Sequence, residues 1–350
     1  MTEKIITKKV LKWYDLNKRN LPWRKKVPSY KKHYYTLVSE FMLQQTQVAT
    51  VIPYYNKFVD TYPDLKSLSK ASLDELMMLW SGLGYYRRIK NIYLAAQIIS
   101  NKYDNKFPKD YDAILSLPGI GRTTASAIST FSGFSNRAIL DGNVKRILRR
   151  FFNLPSDDSA INEKKLWIKS ESVTPVKKTS EFIQGMMDIG SSICTRNNPK
   201  CNICPLQKLD CLYNPKISNL TNSKKTNINI TLFLLIIISS KNMIYLKKIN
   251  SGKLWLDLYA GPLFETEIDM ITWKKQNINS LKPKHNFQII HKVTNKKIIF
   301  KSTVYHLKND KSISLSSENW YNLPNINVGI PKFMVKVIDK YRSDYEKNHV

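Results

Sequence analysis

Residues 115–146 read LSLPGIGRTTASAISTFSGFSNRAILDGNVKR, and this stretch decides how the rest of the chain is arranged. It opens on a Pro-Gly-x-Gly turn, Pro118 to Gly121, and runs into a helical pattern from Arg122. Gly119 and Gly121 are expected to take positive φ and leave amide groups uncovered at a helix N-terminus, which is a seat for a phosphate. Asp141 follows the apolar Ala138, Ile139 and Leu140 and precedes Gly142. A carboxylate held at the edge of apolar surface suits chemistry that passes through a cation.

Upstream, apolar residues at helical period predict helices over 5–17 and over 35–51. Within the second, Glu40 sits among Leu37, Val38, Phe41, Met42 and Leu43, with Ser39 as its polar neighbour. Such a carboxyl is either paired with a base or raised in pKa until it holds a proton. Ser72 and Glu75 form a capping-box pair at the start of a helix that stops at Gly82. The GLGYYRR loop at 82–88 either packs its tyrosines inward as a helix–helix turn or carries rings and guanidinium groups to a base stack and its phosphates. Further helices are expected at 91–102, 111–116, 143–152, 163–173 and 180–193, so the pattern is helical throughout this part.

Four cysteines, Cys194, Cys201, Cys204 and Cys211, lie within one short stretch, and the chain has no others. That clustering argues for a reducing compartment and a metal centre over scattered disulfides. Structural zinc usually shows two close pairs, whereas here only Cys201 and Cys204 are close. The uneven spacing favours a cubane iron–sulfur cluster, and zinc stays open on spacing alone. The chain of 350 residues carries 56 Lys+Arg against 27 Asp+Glu, a net charge of +29, which admits a polyanionic partner. Part of that charge is compositional, since Lys, Asn and Ile are abundant in tracts without other signal, such as 222–229. The longest apolar run, 232–238, has seven residues against the roughly 20 that span a bilayer, so no membrane partner is expected. Residues 1–12 lack a secretory apolar core, and the expected location is cytoplasmic, with the nucleoid.

These motifs together resemble the MutY family of adenine DNA glycosylases, within the endonuclease III superfamily. The matching text is LPWR at 21–24, SEFMLQQTQVATVIPYY at 39–55, LWSGLGYYRR at 79–88, LPGIGRTTASAI at 117–128, ILDGNVKR at 139–146, MMDIG at 186–190 and the cysteine loop. The resemblance implies a mainly α fold: two helical subdomains with a helix-hairpin-helix element and a 4Fe–4S cluster, followed by a smaller α+β Nudix-like domain. It places a catalytic region at 1–213 with its cluster loop at 194–211, a linker at 214–229 and a diverged 8-oxoguanine recognition domain at 230–350. It implies a base-excision enzyme that extrudes and removes adenine mispaired with 8-oxoguanine or G in double-stranded DNA, acting as a monomer. By similarity, Glu40 protonates the adenine and then assists water, Asp141 stabilises the cationic sugar, and Asn143 hydrogen-bonds nearby. Leu83 and Tyr85 are wedge candidates, Gln45 and Thr46 hold the opposite strand, and Trp23, Arg24 and Asp188 lie near the adenine pocket. Gly119, Gly121 and Thr123 belong to the DNA-gripping hairpin, and Cys194, Cys201, Cys204 and Cys211 hold the cluster.

Thr123 stands where the lyases of the superfamily carry a Schiff-base lysine, and the guanidinium of Arg122 cannot serve as an amine nucleophile. A monofunctional glycosylase using water is therefore expected, with Lys145, one turn past Asp141, as a weak trap for the product. Beyond the linker, 230–239 and 243–248 read as paired strands, followed by LWLDLYAGPLFE at 254–265. No diphosphatase Nudix box is present. The family's recognition loop corresponds to His291 to Asn295, where Thr294 keeps the hydroxyl that senses the oxidised base and Asn295 replaces a histidine. The interval from Trp23 to Glu40 and the last cysteine interval are both longer than is usual in the family. The rival functions are a bifunctional pyrimidine glycosylase/lyase and a non-catalytic DNA-binding protein.

Overall fold

The computed structural model describes residues 2–209, 211–213, 228–252, 254–293, 296–307 and 315–347. The chain divides into two compact units, one built from 2–70 and 91–213, the other from Ala71–Lys90 together with the residues from 228 onward. The helices in order are α1 (Thr2–Asn17), α2 (Ser29–Leu43), α3 (Val48–Thr61), α4 (Leu65–Lys70), α5 (Leu73–Leu79), α6 (Arg87–Tyr103), α7 (Tyr111–Leu115), α8 (Arg122–Ser132), α9 (Gly142–Phe151), α10 (Ala160–Val173) and α11 (Thr179–Ser192). Two more, α12 (Glu267–Asn277) and α13 (Lys332–Lys347), belong to the second unit.

The first unit is helical. α9 shows why: Asp141 caps it, and Val144, Ile147, Leu148 and Phe151 recur at helical spacing and are buried. Each such side chain contributes roughly 1.5–3 kcal/mol on leaving water. They meet Ile6 and Val10 of α1, Leu166 of α10, and Phe182, Met186 and Ile189 of α11 in one core. A Cβ at Gly185 would lie 2.9 Å from Val10, so the close approach of α1 and α11 depends on a glycine there. α2 lies against α8 and α3. The single helix expected over 35–51 is in fact two. The chain breaks between α2 and α3, where Gln45 takes φ 55°, and neither a glycine nor a proline marks the break.

In the second unit the sheet strands are β1 (Ile228–Ile238), β2 (Met243–Tyr245), β3 (Lys247–Lys248), β4 (Tyr259–Ala260), β5 (Leu263–Phe264), β6 (His285–Val293), β7 (Lys296–His306) and β8 (Trp320–Asn322). The main sheet runs β6-β7-β1-β2-β8, with β5 also on β1 and a separate β3–β4 pair. β1 is parallel to β7 over its whole length and antiparallel to β2 at its end. The continuous run 232–238 is a strand covered on both faces, as continuous apolar strands usually are. Leu232, Leu234, Ile236 and Ile238 face Phe333, Met334, Val337 and Ile338 of α13. Leu235 and Ile237 share a second core with Ile278, Met270 and Trp273 on the α12 side. The strand begins at Ile228, two residues inside the expected linker, and the rest of that linker lies outside the described residues.

Ala71–Lys90 belongs to this unit, although the expected division at 213 puts it with the catalytic region. Lys248 Nζ bonds Asp74 (3.2 Å), Lys90 Nζ bonds Asp257 (2.6 Å), and Ser81 Oγ donates to the Ile330 carbonyl (2.9 Å). These contacts join residues far apart in sequence, and no local pattern announces them.

Candidate active site

Glu40 lies in the last turn of α2 and lines a pocket of about 170 Å³. The walls include Leu21, Trp23, Arg24, Tyr35, Phe131 and Met187. Trp23 stands edge-on to Tyr55, with ring centroids 5.3 Å apart. The Glu40 carboxyl has neither a hydrogen bond nor an ion pair among the described residues. Burial, with the nearby charge of Asp141, pushes its pKa up to about 8 against an opposing pull from Arg24. Of the two states open to this carboxyl, its lack of a partner and its raised pKa favour the one that holds a proton.

Asp141 differs in having donors around it. As the N-cap of α9 it accepts from the amides of Asn143 (3.1 Å) and Val144 (2.8 Å) and from Asn143 Nδ2 (3.0 Å). Burial raises its pKa, and those three donors, with Arg146, oppose the rise. It does not line the Glu40 pocket, but its charge reaches Glu40. Asn143 is gripped from its other side by Arg146 Nη2, which donates to Oδ1 (2.8 Å).

Arg146 was absent from the sequence-derived site, and it ties the site to the cysteine loop. Its guanidinium also donates to the carbonyls of Gly190 and Cys194. A Cβ at Gly190 would lie 2.5 Å from Cβ of Asn143, so the last glycine of MMDIG sets the separation of α9 and α11 at the site. The available signal was KRILRR, which places Arg146 and Arg150 on one helical face.

The hairpin is partly as expected. Gly119 takes φ 76°, and any side chain there would collide with Asn91. Gly121 does not take positive φ. It sits at −94° as the N-cap of α8, with open space where a Cβ would stand, and so leaves the helix terminus uncovered. Thr123 Oγ1 donates to the Leu140 carbonyl (3.2 Å), so the residue at the lyase-lysine position holds the segment that carries Asp141. Lys145 Nζ is paired with Glu163 at 3.0 Å.

Asp188 is not a pocket wall. It is completely buried, with its oxygens taken by Arg24 (2.7 and 2.9 Å) and Arg19 Nε (2.6 Å). It therefore acts at one remove, by fixing the arginine that does line the pocket. Gln45 is exposed at the α2–α3 break, and Thr46 is half-buried beside it. In the second unit, Tyr85 is exposed with φ 51°, whereas Leu83 is only 6% exposed and is not available as a wedge in this conformation. The inward-packed reading holds for Tyr86, whose hydroxyl donates to the Ile330 carbonyl, and not for Tyr85. Arg88 is buried, lowered to about 10 by burial, and donates to the Gly84 carbonyl, so it braces the loop and offers nothing to phosphates. His291 is buried in β6, with burial lowering its pKa to about 4, and Thr294 lies outside the described residues.

Cys194, Cys201, Cys204 and Cys211 all line one pocket between the end of α11 and the following loop. Burial, with the neighbouring sulfurs, raises three of these thiols, Cys204 to about 11. Arg150 Nη1 donates to Cys194 Sγ (3.3 Å) and to the Thr195 carbonyl (2.7 Å), supplying positive charge to a sulfur-rich site. Among the described residues no group of three or more His, Cys, Asp or Glu side chains is gathered closely enough for a single metal ion. Nor is any described helix long and apolar enough to cross a membrane.

Residues 38–170 match the family described as HhH-GPD superfamily base excision DNA repair protein. The chain is 39% identical over 353 residues to an adenine DNA glycosylase of Buchnera aphidicola subsp. Baizongia pistaciae, covering 98% of each chain. It is 39% identical over 206 residues to an adenine DNA glycosylase of Rattus norvegicus, covering 57% of this chain and 40% of that one. Among solved structures, a thermostable thymine-DNA glycosylase superposes with TM-score 0.55 and 28% identity, covering 61% of this chain and 96% of that one. A trapped endonuclease III–DNA covalent intermediate superposes with TM-score 0.51 at 22% identity, covering 61% of this chain and 96% of that one.

Proposed function

From the premise that this chain belongs to the adenine DNA glycosylases of the HhH-GPD superfamily, we propose that it removes adenine opposite 8-oxoguanine or G by acid-assisted hydrolysis, without lyase chemistry. As a base-excision DNA glycosylase it acts on DNA, and a sugar bond stacked in a duplex is reached only once the nucleotide is extruded. The observation that carries the mechanism is the pair of half-buried carboxyls, one lone and raised to about 8, the other held by three donors.

Breaking the C1′–N9 bond leaves an electron pair on adenine and positive charge on the sugar. Protonated Glu40 delivers its proton to the departing base, and the Asp141 carboxylate stabilises the sugar cation. Water then adds to C1′ and returns a proton to Glu40, so the acid is regenerated. Environments that push two neighbouring carboxyls toward different protonation states are the usual basis of such a division. Thr123 in the hairpin and the engagement of Lys145 by Glu163 support the absence of an amine nucleophile.

The four cysteines suit a 4Fe–4S cluster: they are free, they line a common pocket, and Arg150 offsets their charge. Such a cluster would cross-link the loop after α11 as a structural centre, and no step of hydrolysis needs it. The second unit is the candidate reader of the opposite base, as a diverged Nudix-like domain, with the 291–295 loop as its contact. A DNA substrate and four free cysteines fit a cytoplasmic, nucleoid-associated location. Adenine release measured under single turnover on A·8-oxoguanine, A·G and A·T duplexes tests the assignment. Release should be fastest on the first, slower on the second and absent on the third. No release from any duplex would overturn it.

A further inference from the structure

The Glu40 pocket has a second neighbour that the hydrolysis does not use. A groove of about 720 Å³ abuts it, and Arg19, Leu21, Lys25, Lys32, Ser180 and Gln184 line both. One layer of side chains therefore separates the two spaces. The groove is strongly basic. Lys18, Lys25, Lys26, Lys32 and Lys178 line it, and among the described residues Glu181 is the single carboxylate of the lining. None of the five lysines is in an ion pair among the described residues.

The groove lies away from the hairpin's phosphate seat. Gly121 caps the start of α8 at the hairpin, and Gly133, which caps its end, lines the groove. Eleven helical residues separate the two by roughly 16 Å. Five lysines gathered at that end are thus not explained by the hairpin's grip on DNA. A pocket walled in part by Trp23, Tyr35 and Phe131, suited to a purine, with a polycationic groove one side-chain layer away, matches the two halves of a free nucleotide.

We propose that this protein binds free adenosine polyphosphates, with the adenine in the Glu40 pocket and the phosphates against the lysine groove, in competition with the extruded adenine of DNA. The inference rests on the reading of the Glu40 pocket as an adenine site. A nucleotide entering from the groove reaches the pocket without occupying the hairpin. It blocks base extrusion into the pocket while leaving the DNA grip intact.

The test uses the full-length protein at constant ionic strength, because polyanion competition is salt-dependent. Adenine release is measured with added ATP, GTP or inorganic tripolyphosphate, and binding of labelled ATP is measured by equilibrium dialysis without DNA. ATP should inhibit about tenfold more effectively than GTP or tripolyphosphate, a difference of about 1.4 kcal/mol. In the variant Lys18→Ala/Lys26→Ala/Lys178→Ala, whose residues lie outside the Glu40 pocket, ATP sensitivity and dialysis affinity should each fall by about tenfold or more, the size of a lost charge-assisted contact. Single-turnover release without nucleotide should stay near the wild-type rate. Equal inhibition by all three anions would reduce the groove to general polyanion competition and overturn the proposal, as would no ATP binding by dialysis. Failure of adenine release with ATP binding intact would instead sink the glycosylase reading and leave nucleotide binding standing.

Discussion

Glu40 and Asp141 are carboxyls of one helical unit, both half-buried and both raised above their ordinary range, yet their surroundings differ. Glu40 projects from the last turn of a helix into a pocket walled by aromatic and basic side chains and meets no donor among the described residues. Asp141 precedes the first turn of a helix, where two backbone amides and one side-chain amide converge on it. Only Arg24 favours the charged form of the first, whereas three donors and Arg146 favour the charge of the second. Side-chain chemistry does not distinguish them; position relative to a helix end does.

The sharpest way to break this comparison is Glu40→Gln, which keeps the shape and removes the proton. Single-turnover adenine release should fall on the order of 10²–10⁴-fold, with the circular dichroism spectrum unchanged. A rate within tenfold of wild type would mean that the lone carboxyl is not the acid. Next in size is Asp188→Asn, which tests a third carboxyl, buried and saturated by two arginines. Removing its charge strands Arg19 and Arg24, and the unfolding free energy from denaturant titration should drop by about 3–5 kcal/mol. A stability unchanged within error would show that this pair is not an anchor.

Asp141→Asn comes third. Asparagine caps helices about as well as aspartate, so stability should hold while the rate falls about 10²–10³-fold. Asp141→Ala should lose a comparable rate and also about 0.5–2 kcal/mol of stability. If the two variants melt alike, the capping role is wrong. The smallest effect is in pH. Glu40 is protonated below about pH 8, so the rate should be level on the acid side and fall roughly tenfold per pH unit above it. The linkage has a definite sign. The folded carboxyl keeps its proton from the unfolded value near 4.5 up to about 8, so its contribution to stability is full below 4.5 and is lost as pH rises toward 8. Glu40→Gln should flatten that stability slope, and an unchanged slope would assign the proton to another group.

Much of the site was legible because local signals carried it. The Ser72–Glu75 capping box forms as written, with Ser72 accepting from the Glu75 amide and Glu75 accepting from the Ser72 amide. The LDGN motif announced a carboxylate beside apolar surface just ahead of a helix, and both are present; that the carboxylate caps the helix is legible only in the structure. The α2–α3 break was not legible. Gln44 to Gln47 carries no turn-forming residue, and Gln45 takes a left-handed conformation that its own side chain does not favour. Arg146, Arg150 and Arg19 were hidden for another reason. In a chain with 56 Lys+Arg, no single arginine stands out until its partners are known.

The sequence by itself determined the helical character of the first unit, the Pro-Gly-x-Gly turn into α8, the placing of Asp141 ahead of α9, the apolar neighbours of Glu40 in the chain and the clustering of four cysteines. Each depends on residues within a few turns of one another, where periodicity and capping act. Only the tertiary structure decided that Glu40 goes unpaired, that Asp188 stands behind the pocket holding Arg24, and that Gly190 sets how closely α11 approaches Asn143. It alone drew Ala71–Lys90 into the second unit. Those outcomes depend on burial and on charges brought together from distant segments, and neither has a value until the chain has folded.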